Sequence, residues 1–192
     1  MGCTLATPPP GLVDNRELAQ ILSPEDIKVV QETWLYLQDD MSRMGLEIFK
    51  RFFAQNGDLK RLFYKKLHCS GVTLENVAHI PFDERKLMSH GLVVMEALGA
   101  AVECLHDSDQ LSLLLIGVGE RHVLYGVQRE MIPRLWPAIV SVIEEYLGEH
   151  FSSKAGRSWE RVFQYIGSRV IEGIERWHKN MDVEKQLEPD QH

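Results

Sequence analysis

The chain has 192 residues, 44% hydrophobic and 26% charged, which is enough apolar material for one sizeable core and one domain with tails, not two packed domains. A net charge of −7 without any run of Lys or Arg excludes a nucleic-acid surface, which needs clustered positive charge against phosphates. Three separated cysteines, Cys3, Cys69 and Cys104, have neither zinc-ligand spacing nor the density of a secreted disulfide framework, and so point to a reducing compartment. The longest apolar run, Leu111 to Val118, is far shorter than the roughly 18 residues that cross a bilayer, and the first residues lack the basic and apolar regions of a signal peptide. A cytoplasmic protein is expected, free or attached to the cytoplasmic face of the plasma membrane.

Residues 1–22 differ from the rest in composition. Thr7-Pro8-Pro9-Pro10-Gly11 cannot continue a helix and reads as an extended polyproline-type tether. In front of it, Met1-Gly2-Cys3 offers Gly2 for myristoylation and Cys3 for palmitoylation, the two signals that stable anchoring requires. Ala6 departs from the acyltransferase pattern, which prefers Ser or Thr at that position. An unmodified tail is the alternative.

From Ser23 the pattern is helical. Ser23 is placed as N-cap with Pro24 in the first turn and Glu25 and Asp26 against the positive end of the helix dipole. Ile27, Val30, Trp34 and Leu37 form its apolar face, and after Asp39-Asp40 a second stripe carries Met44, Leu46, Ile48, Phe49, Phe52 and Phe53, ended by Gly57. A short turn from Asp58 to Leu62 leads to Phe63-Tyr64, followed by a long irregular segment, Lys65 to Pro81. Asp83 caps the next helix. Leu87, His90, Val94, Ala97, Leu98, Ala101 and Leu105 fall on one arc of that helix at about 100° per residue.

After His106, Asp107 or Ser108 caps a helix whose apolar arc is Leu111, Leu115, Val118, His122 and Tyr125. Gly117 and Gly119 weaken it but allow something flat and large to approach its backbone. Gly126-Val127 stops it. Two longer amphipathic helices follow, Met131 to Leu147, which Pro137 should bend, and Ser153 to Trp177. No run of alternating β-branched residues or internal repeat is present. The expected class is all-α with about seven to eight helices: a tether over 1–22, one domain over 23–178, and a polar, disordered tail over 179–192.

One histidine on an apolar face is usually a core residue whose ring nitrogens find partners. Two are harder to satisfy, since each buried imidazole left unpaired costs on the order of 1–3 kcal/mol. A metal held between the two helices would occupy one nitrogen on each ring.

Trp34 in the first helix, Phe49, Phe63 at a corner, His90, His122 followed by Gly126-Val127, and Trp159 in the last helix resemble the globin family over residues 23–178. The spacing of the histidines and Glu120-Arg121-His122 are more similar to neuroglobin than to myoglobin. Leu37-Gln38-Asp39-Asp40-Met41 and the Met1-Gly2-Cys3 start are most similar to globin X, a bis-histidyl animal globin type with an acylated N-terminus. The segment from Phe63 to His90 is longer than usual for globins, and Asn56-Gly57 replaces the proline common before the corner phenylalanine.

The resemblance implies a globin fold around haem b, with His122 as proximal ligand to iron, His90 as distal residue and Phe63 wedged against the ring. Haem is a flat apolar disc with two carboxylates, so it needs a dry slot, at least one neutral imidazole and cations at the rim. Phe49, Phe63, Val94, Leu98, Val118, Val127, Ile132 and Leu135 are expected around the slot. Arg121, with Lys65 or Lys66, is expected near the carboxylates. The second nitrogen of His122 should donate to a carbonyl one turn back, near Val118, fixing its tautomer.

The expected state is six-coordinate, with His90 displaced by O2, NO, CO or nitrite and electrons supplied by an unidentified reductase. Such a site suits redox signalling, electron transfer, or nitrite and nitric-oxide chemistry, with nitrite reduction or NO dioxygenation as side activities. No nucleophile, base and orienter set is legible. The alternatives are a five-coordinate oxygen-storage globin, a haem-free helical signalling module, and a ferritin-like di-iron bundle built on Glu103-x-x-His106 and Glu175-x-x-His178. In the last, His106 lies off the apolar arc and His178 at a helix end. Gly117-x-Gly119 lacks the third glycine and the strand of a dinucleotide motif. A Cys69–Cys104 pairing would tie the irregular segment to the distal helix.

Overall fold

The structure is a computed structural model that describes residues 21–66 and 83–187, with side chains described for all of these except 64–66 and 184–187. Among them seven α-helices follow one another: α1 (Pro24–Trp34), α2 (Met41–Gln55), α3 (Gly57–Lys66), α4 (Glu84–Glu103), α5 (Ser108–Val123), α6 (Trp136–Leu147) and α7 (Ser153–Leu187). The all-α class is as the pattern predicts.

Local sequence sets most of the boundaries. Ser23 Oγ accepts from the Asp26 N–H at 3.1 Å and the Asp26 carboxylate accepts from the Ser23 N–H at 3.0 Å, a capping box that satisfies two donors a helix start leaves open. Asp83 accepts from the Lys86 N–H at 3.2 Å and Asp107 from the Gln110 N–H at 3.1 Å, starting α4 and α5 in the same way.

Three boundaries differ from expectation. Residues 58–62 are helix, not turn: Asn56, at φ −133 and ψ 68, ends α2, and its carbonyl accepts from the Leu59 and Lys60 N–H groups to start α3. Pro137 does not bend a helix; it sits in the first turn of α6, where its missing N–H leaves no helical bond unmade. The stretch before it breaks into two 3-10 turns, Arg129–Met131 and Pro133–Leu135. The polar tail expected from Lys179 begins inside α7, which continues to Leu187.

Two backbone-to-backbone contacts organise the packing. Gly45 on α2 lies against Gly91 on α4, so closely that a Cβ on either would overlap the other's main chain. Gly119 on α5 meets the Val170 carbonyl of α7, and Gly173 on α7 meets the Ile116 carbonyl of α5. The glycines expected to admit a flat ligand therefore divide: Gly119 admits another helix, and Gly117 faces open space.

The α1–α7 seam is polar and satisfied. Trp159 Nε1 donates to Thr33 Oγ1 at 3.0 Å, and the buried Asp26 carboxylate accepts from Ser158 Oγ at 2.8 Å and Arg161 Nη1 at 2.7 Å. Burial pushes the Asp26 carboxyl up, but these donors and those of Ser23 outweigh it and hold it at about 2. Arg51 on α2 reaches Ser141 and Glu145 on α6. The stripe residues Ile27, Val30, Trp34, Leu37, Met44, Leu46, Ile48, Phe49, Phe52 and Phe53 are all buried, each such large side chain contributing about 1.5–3 kcal/mol of burial. Within Glu84–His106 an 18-residue window reaches a mean hydropathy of 1.3, by length and composition alone enough to cross a membrane. Leu87, Met95, Ala101 and Val102 are instead buried in the core of this fold.

Candidate functional site

One cavity of about 540 Å³ opens between α2, α3, α4, the end of α5 and the 3-10 turns before α6, a size within the roughly 300–1,000 Å³ typical of cofactor pockets. His90 from α4 and His122 from α5 both line it. The fold thus brings together the two imidazoles that the sequence puts on separate helices.

His122 lies in the last turn of α5, where a backbone carbonyl one turn earlier is within reach. Its Nδ1 lies 2.8 Å from the Val118 carbonyl oxygen. A carbonyl only accepts, so Nδ1 carries the proton and Nε2 keeps its lone pair. The chain then turns sharply: Gly126 has φ 80, a left-handed conformation that favours glycine. The His122 carbonyl accepts from the Tyr125 and Val127 N–H groups, and this turn carries Val127 to the cavity wall.

His90 is held differently. Its ring packs against Phe49, with centroids 4.9 Å apart, and Phe63, 5.4 Å apart. It has no hydrogen-bond partner among the described residues. Burial, together with electrostatic repulsion from His122, lowers its pKa from 6.5 to about 4. At neutral pH the ring is uncharged, with a lone pair available for an electrophile.

Of the residues expected around the slot, Phe49, Phe63, Val94, Val127, Ile132 and Leu135 line the cavity. Leu98 and Val118 do not border it; both are half-buried against core side chains. Arg121 is exposed at the cavity edge, without an ion-pair partner among the described residues. The side chains of Lys65 and Lys66, and the residues Gly2, Cys3 and Cys69, lie outside the described residues.

Phe52, Phe53, Leu59, Leu62, Leu124, Tyr125 and Met131 also line the cavity, beyond the set expected from the sequence. Leu59, Leu62 and Phe63 follow i, i+3, i+4 spacing, a signal that is readable only once 57–66 is taken as helix.

The carboxylate–histidine pairs do not converge. His106 is exposed, with Nε2 3.2 Å from Gln31 Oε1; Glu175 pairs with Arg129; and among the described residues no group of three or more His, Cys, Asp or Glu is placed to hold a metal ion. Cys104 is half-buried and a free thiol.

An all-α fold that sets two imidazoles, each with a ring nitrogen unbonded among the described residues, on one apolar cavity of about 540 Å³ has the form of a cofactor-holding helical protein. Residues 46–170 match the family model described as Globin, and the chain belongs to the globin family. It is 23% identical over 159 residues to neuroglobin of Dissostichus mawsoni, covering 83% of this chain and 94% of that protein. It is 25% identical over 150 residues to cytoglobin-2 of Danio rerio, covering 78% and 80%. Among solved structures, a hexacoordinated heme protein from an anhydrobiotic tardigrade has the same fold, with a TM-score of 0.69 at 18% identity over 84% of this chain and 99% of that one.

Proposed function

We propose that the cavity holds haem b between His122 and His90, and that the protein is a six-coordinate globin of the neuroglobin-like, globin X type. The observation that carries this reading is the pair of imidazoles on one cavity, one with its tautomer fixed by Val118 and one without a hydrogen-bond partner among the described residues. The names of the relatives and of the tardigrade structure agree with it. Bound haem would supply a one-electron couple and a coordination position for O2, NO, CO or nitrite.

The chain's own residues divide the work. His122 Nε2 is the fixed donor, its ring held by the Val118 carbonyl. Phe49 and Phe63 exclude water and flank the His90 ring. Arg121 offers a cation at the cavity edge for a carboxylate. His90, neutral, packed against Phe49 and Phe63 and without a hydrogen bond among the described residues, is a ligand that can leave. External ligands then bind with an affinity reduced by the fraction of molecules in which His90 has left. That property suits redox signalling, electron transfer with a reductase, or nitrite and NO chemistry better than bulk oxygen transport.

The test is the optical spectrum of the purified, haem-loaded protein. A low-spin, six-coordinate ferrous form is expected without added ligand; a five-coordinate, high-spin one makes it an oxygen-storage globin instead. We further propose that acylation of Gly2 and Cys3 tethers the protein to the cytoplasmic face of the plasma membrane. Wild type expressed in animal cells should sediment with membranes and Gly2→Ala/Cys3→Ala should not; equal partitioning would sink this part.

A further inference from the structure

The cavity has two lips from distant parts of the chain: Leu59 and Leu62 on α3, and Ile132 and Leu135 around the Pro133–Leu135 turn. Between Ile132 and Leu135, Arg134 extends to α3. Its Nη1 and Nη2 donate to the two Asp58 carboxylate oxygens at 2.8 and 2.7 Å, and its Nε donates to Asn56 Oδ1 at 2.8 Å. Asn56 in turn donates through Nδ2 to the Phe52 carbonyl at 2.7 Å. Each of the three guanidinium nitrogens donates one hydrogen bond, and such a planar two-pronged contact fixes orientation as well as distance. Lysine, a single point charge, could not reproduce it.

This tie joins the end of α2, the start of α3 and the turn before α6, and α3 carries Phe63, whose ring packs on both Phe53, 5.1 Å away, and His90. Among the described residues no hydrogen bond restrains His90, and Phe63 is one of the two aromatic rings that bound the space around it. We propose that Arg134, Asp58 and Asn56 form a clasp that positions α3, and through Phe63 controls how fast His90 leaves the iron and how fast the cofactor leaves the cavity. They are positioning residues and touch neither. The inference rests on the haem reading above for its cofactor but not for its mechanical part.

Wild type, Asp58→Asn, Arg134→Gln, the double variant and Arg134→Lys are compared in three measurements. These are carbon monoxide binding to the ferrous holoprotein under conditions limited by histidine release, haem transfer to excess apomyoglobin, and amide hydrogen exchange. Both single variants should speed histidine release and haem transfer roughly twofold to fivefold, the upper part of the range an exposed ion pair can supply. The double variant should add nothing to either single one, and Arg134→Lys should fall between wild type and Arg134→Gln. Exchange should rise in α3 and not in α1 or α7.

Unchanged release and transfer rates, or single effects that multiply in the double variant, would overturn the clasp. So would exchange that rises evenly over all helices. A wild-type ferrous spectrum without a histidine on each side of the iron defeats the haem ligation reading instead, while exchange in α3 still decides whether the clasp holds that helix.

Discussion

His122 and His90 line the same cavity, yet the two sides that present them are built to different degrees of rigidity. On the His122 side, α5 is pressed backbone to backbone on α7 through Gly119 and Gly173, the ring is hydrogen-bonded to Val118, and the chain leaves through a turn fixed by Gly126. On the His90 side the helix is equally well seated, but among the described residues the ring has aromatic neighbours, Phe49 and Phe63, and no hydrogen-bond partner. A single site can thus combine a permanent donor with a removable one, because the difference is made in the last few atoms of each side chain and not in the helices.

The comparison can be broken most severely at the α5–α7 seam. Gly119→Leu places a side chain where the Val170 carbonyl lies and should cost more than about 4 kcal/mol, seen as loss of the cooperative urea transition. Next in size is the contrast between the rings. His122→Ala should abolish haem retention on a desalting column. His90→Leu should retain haem and turn the ferrous spectrum five-coordinate; equal haem loss in both would mean that the two sides are equivalent.

A smaller effect separates the cavity from the α1–α7 seam by pH. The His90 pKa is lowered from 6.5 to about 4, so the unfolded chain binds more protons in that window. The haem-free protein should be most stable above about 6.5 and lose roughly 3 kcal/mol as pH falls toward 4. Asp26, held at about 2 against an ordinary 3.8, contributes stability that is present above 3.8 and lost only below it. Urea midpoints from pH 8 to 3 should therefore fall in two stages, and His90→Leu should remove the first. The smallest expected change is at Gly117, whose added Cβ would meet nothing within 4 Å. Gly117→Ala should stabilise by about 0.5–1 kcal/mol, raising the urea midpoint slightly.

The helix starts at Ser23, Asp83 and Asp107 and the buried stripes of α1 and α2 were legible because capping and amphipathic spacing are local signals. So was the His122–Val118 bond, since a carbonyl one turn back is always near a helical side chain. What the chain order hides is the long-range part. Leu98 and Val118 lie on the right arcs, but whether an arc residue meets the cavity or another helix depends on where α4 and α5 cross their neighbours. The helical character of 57–66 was masked by Asn56-Gly57, which reads as a break and is one; the new helix begins immediately after it. Pro137 looks like a bend in the sequence because the 3-10 turns before α6 keep the same apolar periodicity as a helix. Arg134, bonded to residues far back in the chain, carries no local mark at all.

Gly91 follows His90 directly, and its contact with Gly45 leaves no compressible side-chain layer between the two main chains. The His90 α-carbon is consequently a fixed post: α4 can neither settle toward α2 nor glide along it without main-chain atoms colliding. Motion of this imidazole is confined to its own two torsions, a pivot of a few atoms, and its timescale should be that of a crowded rotamer change and not that of a travelling helix.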